Sequence, residues 1–407
     1  MKGLVAFKGA AIYPVDAPKM ESGTILVADG KVKALGGGES EIPTGAEVVD
    51  LTGKVILPGF IDAHSHLGIM GEGEGQSSND ANEMPDPVNG KISSLYSANP
   101  AHRSFASARE GGITTVNIVP LGNPIAGLSF ACKTVGSIID DMVVRDPTGL
   151  KCALGEGPKR AHGLNRKQAP TTRMGIAGLV REFFYKAREY KEKKEAAKAV
   201  AGLATDDASE ARGEGDGKMP DIDLNLEAGV RVLRGELPFR IHAHRYDDIV
   251  TAIRICEEFG ISYSIEHCTA GHLIVDFLAE REITAHVGPG LMSRGPQERA
   301  EADDRNPAIL DAAGVKVCLI TDHPFLDSRY MLPYAAVVHK HGMPLDRVLR
   351  ALTLNPAESL GIDDRVGSLT PGKDADFLVL SGEPFTYTSV ILSTYIEGEE
   401  VYSRPTY

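Results

Sequence analysis

The chain has 407 residues, of which 42% are hydrophobic and 24% charged, with a net charge of −13. This is the composition of an ordinary globular protein, and its acidity excludes a basic nucleic-acid-binding surface as the main theme. The five cysteines, Cys132, Cys152, Cys256, Cys268 and Cys318, are scattered and include no CxxC pair, so a reducing compartment is expected rather than a disulfide framework.

Residues 1–56 read as short strands and turns. "GTILVADGKVKAL" alternates apolar and polar residues around Asp29-Gly30, a hairpin signal, and "AEVVDLTGKVILPGF" repeats the pattern around Thr52-Gly53. The N-terminal twenty residues include charges and prolines and do not read as a signal peptide, and no apolar run approaches a membrane span. A cytoplasmic protein without membrane or nucleic-acid partners is expected.

The middle of the chain alternates apolar β-type runs with amphipathic stretches. The runs are "GFIDAHSH" (59–66), "ITTVNIVP" (113–120), "SFACKT" (129–134), "LKCALGE" (150–156), "FRIHAH" (239–244), "SYSIEHC" (262–268), "ITAHVGP" (283–289) and "VKVCLITD" (315–322). Eight strand units with intervening helices predict an α/β fold, a distorted TIM (β/α)8 barrel over 57–365. Residues 176–201 read as a charged helix, and the Gly- and Asp-rich stretch after it as a loop. The chain becomes β-rich again from 366. Neither end has enough strands to bury a core alone, so 1–56 and 366–407 are expected to form one small composite β-sandwich.

The histidines fall at the ends of these strands. Side chains two apart on a strand share a face, so His64 and His66 aim together from the C-terminal end of the first barrel strand, where barrel enzymes keep their chemistry. His242, His267 and Asp322 each end a later apolar run. Four imidazoles and a carboxylate around one barrel mouth form a divalent-metal site. His244, Arg245 and His323 flank these positions and are candidate substrate contacts. A carboxylate on the substrate would suit Arg245, with pairing to Asp247 or Asp248 as the alternative. Asp62 is expected to orient an imidazole, and Glu266, next to His267, to face away. The loop over 67–101 is expected to overhang the mouth.

These motifs, "LPGFIDAHSH", "IHAH", "IEHC", "TDHP" and "GSLTPGKDADFLVL", resemble the amidohydrolase superfamily, in particular its imidazolonepropionase-related and metal-dependent prolidase-like branch. The resemblance covers nearly the whole chain. It implies hydrolysis of an amide, cyclic amide or peptide-like C–N bond in a small molecule, with one or two divalent metals per chain: Zn first, with Mn, Fe, Co or Ni as alternatives. By the same resemblance His64, His66, His242 and His267 are ligands, and Asp322 is both ligand and proton shuttle. Many binuclear members bridge their metals with a carboxylated lysine from the fourth strand, others with a glutamate. Glu156, at the end of "LKCALGE", is the expected bridge, with a carboxylated Lys133 or Lys159 as alternatives; Lys151 lies at that run's start. A site without a bridge would suit a mononuclear deaminase of a small heterocycle. A non-catalytic assembly protein of the same fold would lack ligands that this chain has. A homo-oligomer is compatible with the sequence.

Overall fold

The computed structural model describes residues 3–37, 42–71, 75–202, 219–293 and 297–405. The loop expected after residue 202 falls mostly outside these residues. The strands in chain order are β1 (Val5–Ile12), β2 (Met20–Ala28), β3 (Lys31–Gly37), β4 (Glu47–Asp50), β5 (Val55–Pro58), β6 (Phe60–Ser65), β7 (Ile113–Ile118), β8 (Gly127–Lys133), β9 (Val143–Ala153), β10 (Phe239–Ala243), β11 (Tyr263–His267), β12 (Thr284–Val287), β13 (Lys316–Leu319), β14 (Phe377–Leu380), β15 (Ile391–Ile396) and β16 (Glu399–Ser403).

They form two eight-stranded sheets. One runs β16-β15-β14-β5-β1-β2-β3, with β4 beside β1. The two chain ends join in it where β14 pairs antiparallel with β5, Phe377 opposite Pro58 and Leu380 opposite Val55. Its mainly aliphatic core holds an aromatic cluster: Phe377 stacks on Tyr395 at 4.4 Å, and Phe7 meets both rings edge-on. The chain passes from this sheet to the other at Gly59, between β5 and β6.

The second sheet runs β6 to β13 in chain order. All of its strands but β9 are buried along nearly their whole length, as strands covered on both faces must be. The pairing is parallel from β9 to β13 and between β6 and β7. It is antiparallel at β7–β8 and β8–β9. The expected barrel is therefore present but distorted, because "SFACKT" returns directly from β7 as a reversed strand with no crossover helix. Two backbone hydrogen bonds close the barrel, Asp322 N–H to His64 C=O (3.1 Å) and His66 N–H to His323 C=O (3.0 Å).

The charged helix spans Arg173–Gly202 and packs on the helix Leu224–Leu233 and on Tyr246–Phe259. Phe184 meets Phe239 and Phe259 at 5.0 and 5.3 Å. The segment after β6 is pinned to the barrel by bridges from Val88 to Ile125 and from Ser93 to Leu128. All five cysteines are buried and unpaired. Among the described residues, no helix is long and apolar enough to cross a membrane.

Candidate metal centre

Two groups of potential ligands converge at the C-terminal end of the barrel. His64, His66 and Asp322 form one; His242, His244 and His267 form the other; within each, the ligand atoms lie within 4.8 Å of one another. The His64 and His267 rings join the groups, 4.8 Å apart. All are buried except His242, which is partly so.

The hydrogen bonds at the outer ring nitrogens fix which nitrogens face inward. His66 Nδ1 lies 2.7 Å from the Val119 carbonyl and His267 Nδ1 2.8 Å from the Gly288 carbonyl. A carbonyl only accepts, so each Nδ1 carries the proton and each Nε2 presents a lone pair. Those Nε2 atoms, and Asp322 Oδ1, are buried and have no hydrogen-bond partner. His66 Nε2 and His64 Nε2 nevertheless sit 3.2 and 3.3 Å from Asp322 Oδ1. Lone pairs facing one another at this distance, away from water, are unfavourable unless a cation lies among them. The donor set therefore fits a divalent metal with imidazole and carboxylate ligands.

Charge organises the site further. Burial would raise the Asp322 carboxyl, but His267, His64 and His66 hold it well below the usual carboxylate range. Burial together with neighbouring imidazoles pushes His242 well below the ordinary imidazole value. Burial is also the main cause for His267, pushed in the same direction, and for His244, pushed down to about 3. Neutral imidazoles are the metal-binding form.

Glu266 faces the barrel interior, contrary to the alternation expected for it. His267 has φ +72° and Cys268 φ +45°, so the strand turns at its last residue and Glu266 and His267 both point inward. Glu266 Oε2 is 2.7 Å from His64 Nδ1 and 3.0 Å from His286 Nδ1. Its Oε1 accepts the Ser264 hydroxyl at 2.6 Å and lies 3.8 Å from Arg240, which is fully buried. Asp62 does not orient an imidazole. It accepts the Thr321 hydroxyl and backbone N–H (3.2 Å), tying β6 to the end of β13.

Glu156, the expected bridge, lies beyond the end of its strand. β9 ends at Ala153, and Glu156 opens the next helical turn, part exposed, its carboxylate 4.0 Å from Arg160. Lys133 is committed to Asp374 and Asp376 at 2.9 and 2.6 Å, and Lys159 follows the turn, half-buried. Lys151, in contrast, is fully buried near the end of β9, and its charge acts on His64, His242, His244 and His267 together. Burial lowers its ammonium pKa to about 8, against the pull of Glu266 and Asp322. A lysine inside the apolar run "LKCALG" was the available signal.

Arg245 is claimed by its neighbour Asp247 in a two-pronged pair at 2.9 and 2.8 Å. His323 is buried with Nδ1 3.1 Å from the Ser328 hydroxyl, and its carbonyl holds the His66 backbone. Neither has the setting of a substrate contact. His244 does: its Nδ1 meets Thr269 at 2.7 Å, and its ring lies 4.6 Å from those of His242 and His267.

Residues 189–401 match the model of the amidohydrolase family. The chain belongs to the amidohydrolase family. It is accordingly a hydrolase acting on carbon–nitrogen bonds. A solved amidohydrolase from Thermotoga maritima is 42% identical, with a TM-score of 0.90, covering 98% of this chain and 100% of that one. The imidazolonepropionase of Desulfotalea psychrophila is 24% identical over 94% of this chain and 92% of its own length. A dihydroorotase from Lactobacillus leichmannii is 26% identical over 93% and 90%. The amidohydrolase tasK of Hapsidospora irregularis is 26% identical over 95% of this chain, which spans only 40% of that protein's length.

Proposed function

We propose that this amidohydrolase is a metal-dependent hydrolase of an amide, cyclic amide or peptide-like bond in a small molecule. The observation that carries the reading is the set of unprotonated ring nitrogens turned toward the Asp322 carboxylate. His64, His66 and Asp322 would hold one divalent cation, and His242 and His267, with His244 beside them, a second. A cation bound there supplies a Lewis acid that polarises the scissile carbonyl and lowers the pKa of water toward 7.

The chain's own groups do the rest. Asp322 accepts the proton of the attacking water and returns it to the leaving nitrogen. Glu266 and the carbonyls of Val119 and Gly288 hold three imidazoles in their required tautomers. Lys151 is the bridging group in this reading. Its lowered pKa leaves neutral amine available near neutral pH. Addition of the Nζ lone pair to the carbon of CO2, with release of one proton, would replace this ammonium with an anionic carbamate able to ligate cations held by the histidine groups. An intact bridge favours amide hydrolysis over a mononuclear deaminase.

The test is to strip the protein with a chelator, reload it with Zn or Mn, and assay libraries of amides, lactam-type rings and dipeptides. Activity is expected to vanish on stripping and return on reloading. Undiminished hydrolysis by metal-free protein would overturn the reading.

A further inference from the structure

Beside the histidines the barrel mouth opens into a cavity whose lining includes His244, His267, Leu291, Arg299 and Tyr334. Other described arginines around this mouth are paired. Arg245 pairs with Asp247, Arg173 with Asp248 and Arg305 with Asp303. Arg299 is different. It is half-buried, and among the described residues its guanidinium contacts only the Met292 sulfur, 3.3 Å from Nη1, with no carboxylate in ion-pair range. A thioether is a weak acceptor, so this contact leaves most of the hydrogen-bonding capacity of Arg299, a residue of the cavity wall, open.

Arg299 lines the same cavity as His244. The remaining carboxylates of the wall do not neutralise it: Asp303 is engaged bidentately by Arg305, and Asp304 is exposed. The Tyr334 hydroxyl is spent on the Val287 carbonyl at 3.2 Å, so that ring offers the cavity an apolar face beside Leu291. A part-desolvated guanidinium without a counter-ion is a cost that an incoming anion removes, and its planar fork matches a carboxylate in two-pronged geometry.

We propose that Arg299 binds a free carboxylate of the substrate, so that the amides hydrolysed here are small carboxylate-bearing molecules, such as acylated amino acids or dipeptides, with an apolar group against Leu291 and Tyr334. This rests on the hydrolase reading above and adds its specificity-determining residue.

The experiment uses metal-loaded wild type and Arg299→Met, a replacement of similar length, with folding checked by thermal melting. The probes are N-acetyl-L-amino acids and dipeptides, each paired with its own C-terminal carboxamide. Amine release and calorimetric binding are both read. The expected result is that wild type favours the free acids over their carboxamides at least tenfold in kcat/KM, mainly through KM. In Arg299→Met that ratio falls at least tenfold, and Arg299→Lys recovers part of it. Equal turnover of acids and carboxamides by wild type would overturn the proposal while leaving the hydrolase reading intact, as would a preference unchanged in Arg299→Met. Arg299-dependent binding of acids without turnover would uphold the carboxylate site and overturn amide hydrolysis. Neither binding nor turnover of any acid would overturn both.

Discussion

His64 and Glu266 stand 202 residues apart in sequence, yet an imidazole nitrogen of one meets a carboxylate oxygen of the other at 2.7 Å in the barrel interior. The same carboxylate faces His286 and Arg240, so one acidic group orients a metal-facing histidine and balances a buried cation. Glu266→Gln keeps the shape and removes the charge. Metal affinity, measured by competition with a chromophoric chelator, is expected to fall about 10- to 100-fold. Glu266→Ala also leaves Arg240 buried and uncompensated, and is expected to lose about 3–5 kcal/mol of stability in denaturant titration.

Lys151 and Glu156 are expected to separate cleanly. Lys151→Met should lower metal content from about two equivalents per chain to about one. It should also abolish a carbamate signal from protein equilibrated with 13C-labelled bicarbonate. Glu156→Gln should retain both. Two full equivalents in Lys151→Met, or their loss in Glu156→Gln, would return the bridge to Glu156.

Asp322→Asn removes the proton acceptor while nearly preserving volume. A general acid–base contribution of about 10²- to 10⁴-fold should disappear from kcat. Elemental analysis should show metal still present, in contrast to His64→Ala, which should lose metal and activity together while the barrel still folds.

Metal removal should also be visible without any substrate. Since the cation binds the folded chain, loading at a thousandfold excess over Kd stabilises by about 4 kcal/mol. Calorimetry should show a lower melting temperature after chelation, restored by reloading. His66→Ala should melt at one temperature regardless of added metal.

Gly288 sits where β12 meets the site, at φ +147°. Its carbonyl holds His267, and an added Cβ would come within 2.2 Å of the Ile320 carbonyl oxygen. Gly288→Ala is therefore expected to cost about 3 kcal/mol or more, read as a fall in denaturation midpoint. Little change in midpoint would mean that the two strand ends can part freely.

Much of this cluster was legible in the sequence because the residues that converge on the barrel mouth are coded by position. His64 and His66 share a face through the two-residue period, and His242, His267 and Asp322 end apolar runs. The period misled at Glu266, because the left-handed backbone at His267 reverses the strand's facing at its final residue. At Glu156 the apolar run continues two residues past the last strand residue, Ala153, so the strand ends before it. Arg245 illustrates the other blind spot. Sequence places a cation near the mouth but does not say which neighbour neutralises it, and Arg299 on a later loop keeps its donors open.

The closure of the barrel has a kinetic consequence. The bonds that seal it run between His64–His66 and Asp322–His323, and the Asp62–Thr321 contact beside them spans 259 residues. Contacts of such long sequence separation form late and slowly. The first metal group is drawn from both sides of that same seam, so it cannot assemble on a nascent or truncated chain, however many of its histidines have emerged. An amino-terminal fragment ending before β13 would carry all four histidines and still lack Asp322, the carboxylate of the first group.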